Sequence, residues 1–273
     1  MRSAVLVGTA RNLAKTLSKE IPRLIEVLRT EFDLKVFIVE SDSDDSTIKE
    51  LTRLKESFSK LDFVSLGNLA ERIPDRVSRI RYCRNAYVEE IRTNPKYKDS
   101  EYIIVADLDG VNSKLKAIDV SSAMKLNLEW DGLMANQSAP YYDLYALRHD
   151  QLMPRNFLID IENSAGHSRD LRKEFIWKRM IKIDPNSAPI LVKSAFGGFA
   201  IYKKWIFEKF DYGADKFPSE CEHVNLNLRA NESGAKLYIV PSLINSGWNE
   251  HNLSKYFITR NFLRLKLRIS KYI

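Results

Sequence analysis

Two aspartates separated by one residue, Asp107 and Asp109 in "EYIIVADLDGVN", close an apolar run that begins at Tyr102. In extended chain, residues i and i+2 share a face, so their carboxylates repel unless a cation or hydrogen bonds compensate. Hard divalent ions such as Mg²⁺ and Mn²⁺ take carboxylate oxygens together with substrate phosphates. The pair is therefore suited to hold such an ion against a nucleoside diphosphate. The same spacing fits a turn that caps the next helix, and "SDSDDS" at 41–46 repeats it, so the pair alone decides nothing.

Other residues stand in informative places. Arg76, Arg79, Arg81 and Arg84 precede the aspartate pair. Arg81 and Arg84, one helical turn apart with Asn85 beside them, would either present guanidinium groups to phosphate oxygens or form a solvated basic face. Glu40, Ser41 and Asp42 end an apolar run. That is where a nucleoside lies in a doubly wound sheet, although Ser and Asp also make ordinary turns. Gly197 and Gly198 in "SAFGGFAIYK" allow close backbone approach to a ligand, or mark a bulge. "SECEHVNLNLR" places Glu220, Glu222 and His223 at a helix start, where the helix dipole favours acids whatever the function. Glu222 is suited to accept or orient a hydroxyl. His251 stands in the polar stretch "SGWNEHN".

The elements that must position these groups alternate in kind. "SAVLVG", "LKVFIVES", "DFVSLG" and "EYIIVAD" read as strands. Helical patterns lie between them: Leu13 through Leu28, with Pro22 opening a new turn, then Ile48, Leu51, Leu54 and Phe58, then "RVSRIRYCRNAYVEEIR". Such alternation predicts a mostly parallel central sheet covered by helices, with ligands beyond the carboxyl ends of the strands. In the second half, "WDGLMANQ" predicts a strand, "AFGGFAIYKKWIFEKF" a strand leading to a helix, "CEHVNLNLRANESG" a helix ended by Gly234, and "AKLYIVPSLI" a last strand. Residues 138 to 182 show no clear period.

A chain of 273 residues with 44% hydrophobic content can bury one substantial core. The expected organisation is a domain over 1–253 and a basic tail over 254–273. The two cysteines, Cys83 and Cys221, suit neither a disulfide framework nor a four-ligand zinc site. No apolar run is long enough to span a bilayer, and "MRSAVLVGTARNL" turns basic too early for a secretory signal, so a cytoplasmic setting is expected. The 43 Lys and Arg against 36 Asp and Glu give +7, which suits polyanionic partners. In the tail, Leu263, Leu265, Leu267 and Ile269 alternate with Arg264, Lys266 and Arg268, a strand period with one basic face. This reads either as an edge strand or as a contact with an anionic membrane surface, which would make the protein peripheral on the inner face of the plasma membrane.

The order of these features along the chain resembles the GT-A superfamily of nucleotide-sugar-dependent glycosyltransferases. "VFIVESDSDDSTIKELTRL", "RIRYCRN", "YYDLYALR" and "FGGFAIYK...SECEH" look more narrowly like the capsule-associated mannosyltransferase family. The resemblance implies a GT-A-type Rossmann-like α/β domain and a Mn²⁺- or Mg²⁺-dependent enzyme. It would move a hexose, mannose from GDP-mannose with retention, or another sugar from a GDP- or UDP-sugar, to a glycan or lipid-linked acceptor in surface polysaccharide synthesis. It implies Asp109 as metal ligand, Asp107 as partner to the ribose or to the metal, and His251 as a further metal ligand. Ala10, Arg11, Asn12, Glu40, Arg81, Arg84 and Asn85 would hold the donor. Gly197 and Gly198 would line the sugar and acceptor cleft, and Glu222 would contact the acceptor or, in an inverting enzyme, act as base.

Three other classes compete. A nucleotidyltransferase of related fold would carry a Gly-rich phosphate loop after the first strand, where "GTARN" offers only Gly8. Nucleic-acid binding is not expected, because the basic residues gather at two places instead of one aromatic-interleaved stripe. The third is a non-catalytic scaffold.

Overall fold

A computed structural model describes residues 1–166, 168–213, 220–249 and 252. The predicted alternation is present through β1 (Arg2–Ala10), α1 (Ala14–Leu28), β2 (Phe32–Glu40), α2 (Thr47–Ser57), β3 (Leu61–Ser65), α3 (Arg76–Thr93) and β4 (Tyr102–Ala106). After these come α4 (Ala117–Met124), β5 (Gly132–Gln137), α5 (Phe157–Glu162), α6 (Ser168–Arg172), β6 (Ile190–Val192), β7 (Phe199–Lys203), α7 (Trp205–Lys209), α8 (Glu222–Glu232) and β8 (Leu237–Ser246). The eight strands among the described residues form one sheet in the order β3-β2-β1-β4-β7-β5-β8-β6. Strands β1 to β4 are parallel, as are β5 and β8. β7 runs against both its neighbours, β4 and β5, and β6 runs against β8, so the sheet is mixed on that side.

The strands read as continuous apolar runs because both sheet faces are covered. Val5 and Val7 of β1 point into a core shared with Tyr87, Val88 and Ile91 of α3 and Val224 and Leu226 of α8. Ala4 and Leu6 point into the opposite core, with Leu17, Ile21, Leu24 and Leu28 of α1 and Leu51 and Leu54 of α2. α1 continues through Pro22 as one uninterrupted helix. Its four buried apolar residues on one face offset the hydrogen bond that proline cannot make. α8 ends as its sequence predicts: Gly234 takes φ +94°, and its N–H donates to the Asn231 carbonyl.

Helices α5 and α6 and the edge strand β6 have no counterpart in the sequence reading. They are short and surface-facing, with Leu191 55% exposed, so burial leaves no regular stripe. Among the described residues, no helix is long and apolar enough to cross a membrane. The tail over 254–273 lies outside the described residues.

Candidate active site

The carboxyl ends of β1 and β4 open on a cavity of about 580 Å³, within the range of small-molecule sites. One side is lined by Thr9 and Arg11 from the end of β1 and by Arg76, Val77 and Ile80 from the first turns of α3. Asp107, Leu108, Asp109 and Gly110 lie at the end of β4. Toward β7 and β5 the lining is Tyr142, Asp143, Tyr145 and Phe196, with Cys221, Glu222 and His223 at the start of α8.

α3 is anchored at its entrance by Asp75, whose side chain accepts from the Ser78 N–H at 2.7 Å. Two and a half turns on, the same helix brings Arg84 under the cavity, 4% exposed. Arg84 Nη2 lies 3.2 Å from Asp107 Oδ1 and Nε lies 3.0 Å from Glu222 Oε1, while Nη1 donates to the Tyr87 hydroxyl at 3.3 Å. Phe196 and Tyr212 flank the guanidinium, 5.3 and 5.7 Å from their ring centroids. One buried cation thus joins two carboxylates from distant parts of the chain.

Negative charge gathers above it. Although 38% of the Asp107 side chain faces the cavity, burial pushes its carboxyl up to about 7. Arg84 opposes the rise, and Asp109, Asp143 and Glu222 add to it. Hard oxygen donors that gain from a divalent cation in this way fit Mn²⁺ or Mg²⁺. Asp109 accepts from the Val111 N–H through Oδ1, at 3.1 Å. Among the described residues, no group of three or more His, Cys, Asp or Glu is arranged around one point. At this pair a metal would add to the two carboxylates ligands from substrate, solvent or residues outside those described. His251, the expected further ligand, lies outside the described residues.

Burial, aided by the positive charge of Arg84, drives the His223 imidazole well below its usual range, so it is neutral. The ring stacks on Phe196 with centroids 3.7 Å apart, and neither ring nitrogen has a hydrogen-bond partner. Its Nε2 stands 3.7 Å from Glu222 Oε1, just beyond hydrogen-bond reach.

Of the residues to which the resemblance gives a role, Arg11, Arg84, Asp107, Asp109 and Glu222 line the cavity together. Seven others with such a role do not. Ala10 is buried, and its carbonyl accepts from the Ser41 N–H. Asn12 takes φ +53° and ties two loops, its Oδ1 accepting from the Asp44 N–H. Glu40 is spent within the fold: Ser43 N–H donates to Oε1 and the Ser65 hydroxyl to Oε2. Arg81 is buried and directs Nη2 to the Glu220 carbonyl at 3.2 Å. Asn85 accepts from the Tyr212 N–H and donates to the Gly213 carbonyl. Gly197 and Gly198, at φ +72° and +89°, shape the wall from behind. The Gly197 N–H donates to Asp143 Oδ2 at 2.8 Å, and the Gly198 carbonyl accepts from the Asp107 N–H at 2.9 Å. Asp143, Tyr142, Tyr145 and Phe196 received no role from the sequence. Tyr142, Asp143 and Tyr145 fall in its non-periodic stretch, where the run "YYDLYALR" is the one signal that touches them, and Phe196 stands beside the glycine pair in "AFGGFAIYK".

No protein-family model and no curated protein matches the sequence. Solved structures do. Residues 1–349 of TarS from S. aureus align at 14% identity over 95% of this chain and 64% of that one, with a TM-score of 0.53. The same TarS segment in complex with UDP-GlcNAc aligns at 14% identity over 94% and 62%, with a TM-score of 0.52. The fold is of the GT-A type. A mannosyltransferase from Pyrobaculum calidifontis, in complex with GDP-Man and Mn²⁺, aligns at 14% identity over 88% and 55%, with a TM-score of 0.49. The chain spans less than two thirds of the length of each of these GT-A-fold chains.

Proposed function

We propose that this protein is a metal-dependent glycosyltransferase that moves a hexose from a nucleotide sugar to a hydroxyl of a glycan or lipid-linked acceptor. The observation that carries the reading is the Asp107–Arg84–Glu222 bridge at the carboxyl end of β4, on a GT-A sheet where a donor would lie. Asp107 and Asp109 would hold Mn²⁺ or Mg²⁺, which when bound supplies charge neutralisation for the departing nucleoside diphosphate. Arg11 and Arg76 on the cavity wall would bind its phosphate oxygens. Arg84, fixed by two carboxylates and two aromatic rings, would keep Asp107 and Glu222 in place and add positive charge beneath the reacting centre.

The sequence resemblance to capsule-associated mannosyltransferases supports GDP-mannose as donor, retention as outcome and surface polysaccharide synthesis as setting. Retention also agrees with Glu222, the residue an inverting mechanism would use as base, whose Oε1 is engaged by Arg84. UDP-N-acetylglucosamine is the competing donor, since TarS of the same fold is recorded with it. The basic tail would let a cytoplasmic enzyme meet an anionic membrane surface.

Calorimetric titration of nucleotide sugars with Mn²⁺, then with excess chelator, tests the reading. Tight, metal-dependent binding of one donor is expected. Binding of single-stranded nucleic acid with no affinity for any donor would overturn it.

A further inference from the structure

Behind the aspartate pair runs a chain of buried amides that neither the donor nor the metal role uses. Asn112, Gln137 and Asn245 are each 0% exposed. Asn112 closes the turn after β4, its Nδ2 donating to the Asp107 carbonyl at 2.7 Å. The Asp107 N–H donates to the Gly198 carbonyl at 2.9 Å, so the backbone is pinned on both sides of this residue. Asn112 Oδ1 accepts from Asn245 Nδ2 at 2.8 Å, across 133 residues of chain. The same Nδ2 donates to the Gly197 carbonyl at 2.8 Å, and Asn245 Oδ1 accepts from Gln137 Nε2 at 3.3 Å. Near the carboxyl ends of β8 and β5, Asn245 and Gln137 thus brace the turn that carries the pair.

We infer that Asn112 and Asn245 are positioning residues for the metal pair: they tether the turn bearing Asp107 and Asp109 to the Gly197–Gly198 wall and so set the separation of the two carboxylates for a divalent ion. The inference rests on the glycosyltransferase reading and deepens it. The bonds demand an amide at both positions. Asn245 gives two N–H donors to two acceptors while its oxygen meets a donor. An aspartate would turn an oxygen toward the Asn112 and Gly197 oxygens, and a leucine would leave both without this donor. Two carboxylates that share a face repel, which favours opening the turn whenever no cation lies between them. A tether without access to water resists that opening, because its broken bonds would find no replacement partner. The pair is thereby held ready before the ion arrives, and groups that orient a metal's ligands are commonly worth about ten- to a hundredfold in affinity.

Mn²⁺ binding to the parent protein in the presence of GDP or UDP, read from the paramagnetic resonance of the free ion, comes first. Its absence would overturn the metal-dependent glycosyltransferase reading, and the tether's role with it. In a parent that binds, Asn112→Ala and Asn245→Ala should each weaken Mn²⁺ by about tenfold or more. The double variant should lose little beyond the worse single one, because both substitutions cut one tether. Asn136→Ala is the control. Asn136 is a buried asparagine of β5 whose Nδ2 donates to the Ile183 and Pro241 carbonyls, and it does not line the cavity. That variant should lose stability in chemical denaturation yet bind Mn²⁺ as the parent does. Parental Mn²⁺ affinity in folded Asn112→Ala or Asn245→Ala would overturn the inference while leaving the broader reading standing, and so would an equal loss in Asn136→Ala. If the variants do not fold, NMR of the parent decides. Mg²⁺ with GDP or UDP should shift the side-chain amide signals of Asn112 and Asn245 and leave those of Asn136 in place. Unmoved Asn112 and Asn245 signals would overturn the inference.

Discussion

Arg84 and Glu222, 138 residues apart in the chain, meet at 3.0 Å in a site where both are nearly buried. Taking charges out of water is costly, and removing one partner of a buried pair leaves the other uncompensated. Arg84→Ala strands two carboxylates, and Arg84→Lys supplies one point charge where a planar fork spans two. Chemical denaturation should show Arg84→Ala destabilised by about 3 kcal/mol or more. The double variant with Glu222→Gln should recover part of that loss, which a merely steric role for Arg84 would not produce.

Asp109 is exposed at the rim of the cavity and contributes one hydrogen bond to its own turn. Asp109→Ala should therefore unfold within about 0.5 kcal/mol of the parent. If it holds the metal, turnover should fall by about a hundredfold or more and Mn²⁺-dependent donor binding should vanish. Parental transfer by folded Asp109→Ala would remove this residue from the metal site.

Gly198 takes φ +89°, and a Cβ there would stand 2.8 Å from Val111 Cγ1 and 3.3 Å from the Tyr142 hydroxyl. Its carbonyl also receives the Asp107 N–H. Gly198→Ala combines an unfavourable backbone conformation with overpacking, and should cost about 1 to 3 kcal/mol. Because the displaced neighbours border the site, donor affinity should fall as well, measured by calorimetry on whatever fraction remains folded.

Asp75 caps α3 and, with the Ser78 N–H as the largest cause, is held below the ordinary 3.8 of an aspartate. A folded-state pKa below the unfolded one gives stability that is present above 3.8 and is lost as pH falls through the lower, folded value. Asp75→Ala should lower stability by about 1 kcal/mol near neutral pH. The difference from the parent should close in strong acid, and denaturant midpoints recorded across that range would show it.

The sequence alone determined the alternation of strands and helices as far as β4, the place of Asp107 and Asp109 at that strand's end, and the stop of α8 at Gly234. These are local facts, because apolar period, turn residues and caps act over a few neighbours. Tertiary structure decided which candidates meet. Arg81 and Arg84 look alike on one helix, yet only Arg84 faces the two carboxylates, while Arg81 turns to the Glu220 carbonyl. Glu40 ends its strand as expected, but Ser43 and Ser65 consume its oxygens. Tyr142, Asp143 and Tyr145 come from a stretch with no period, placed only when β7 enters the sheet against β4 and the Gly197 N–H fastens Asp143. Periodicity records which side of an element is buried; it does not record what stands opposite, and a site is made of what stands opposite.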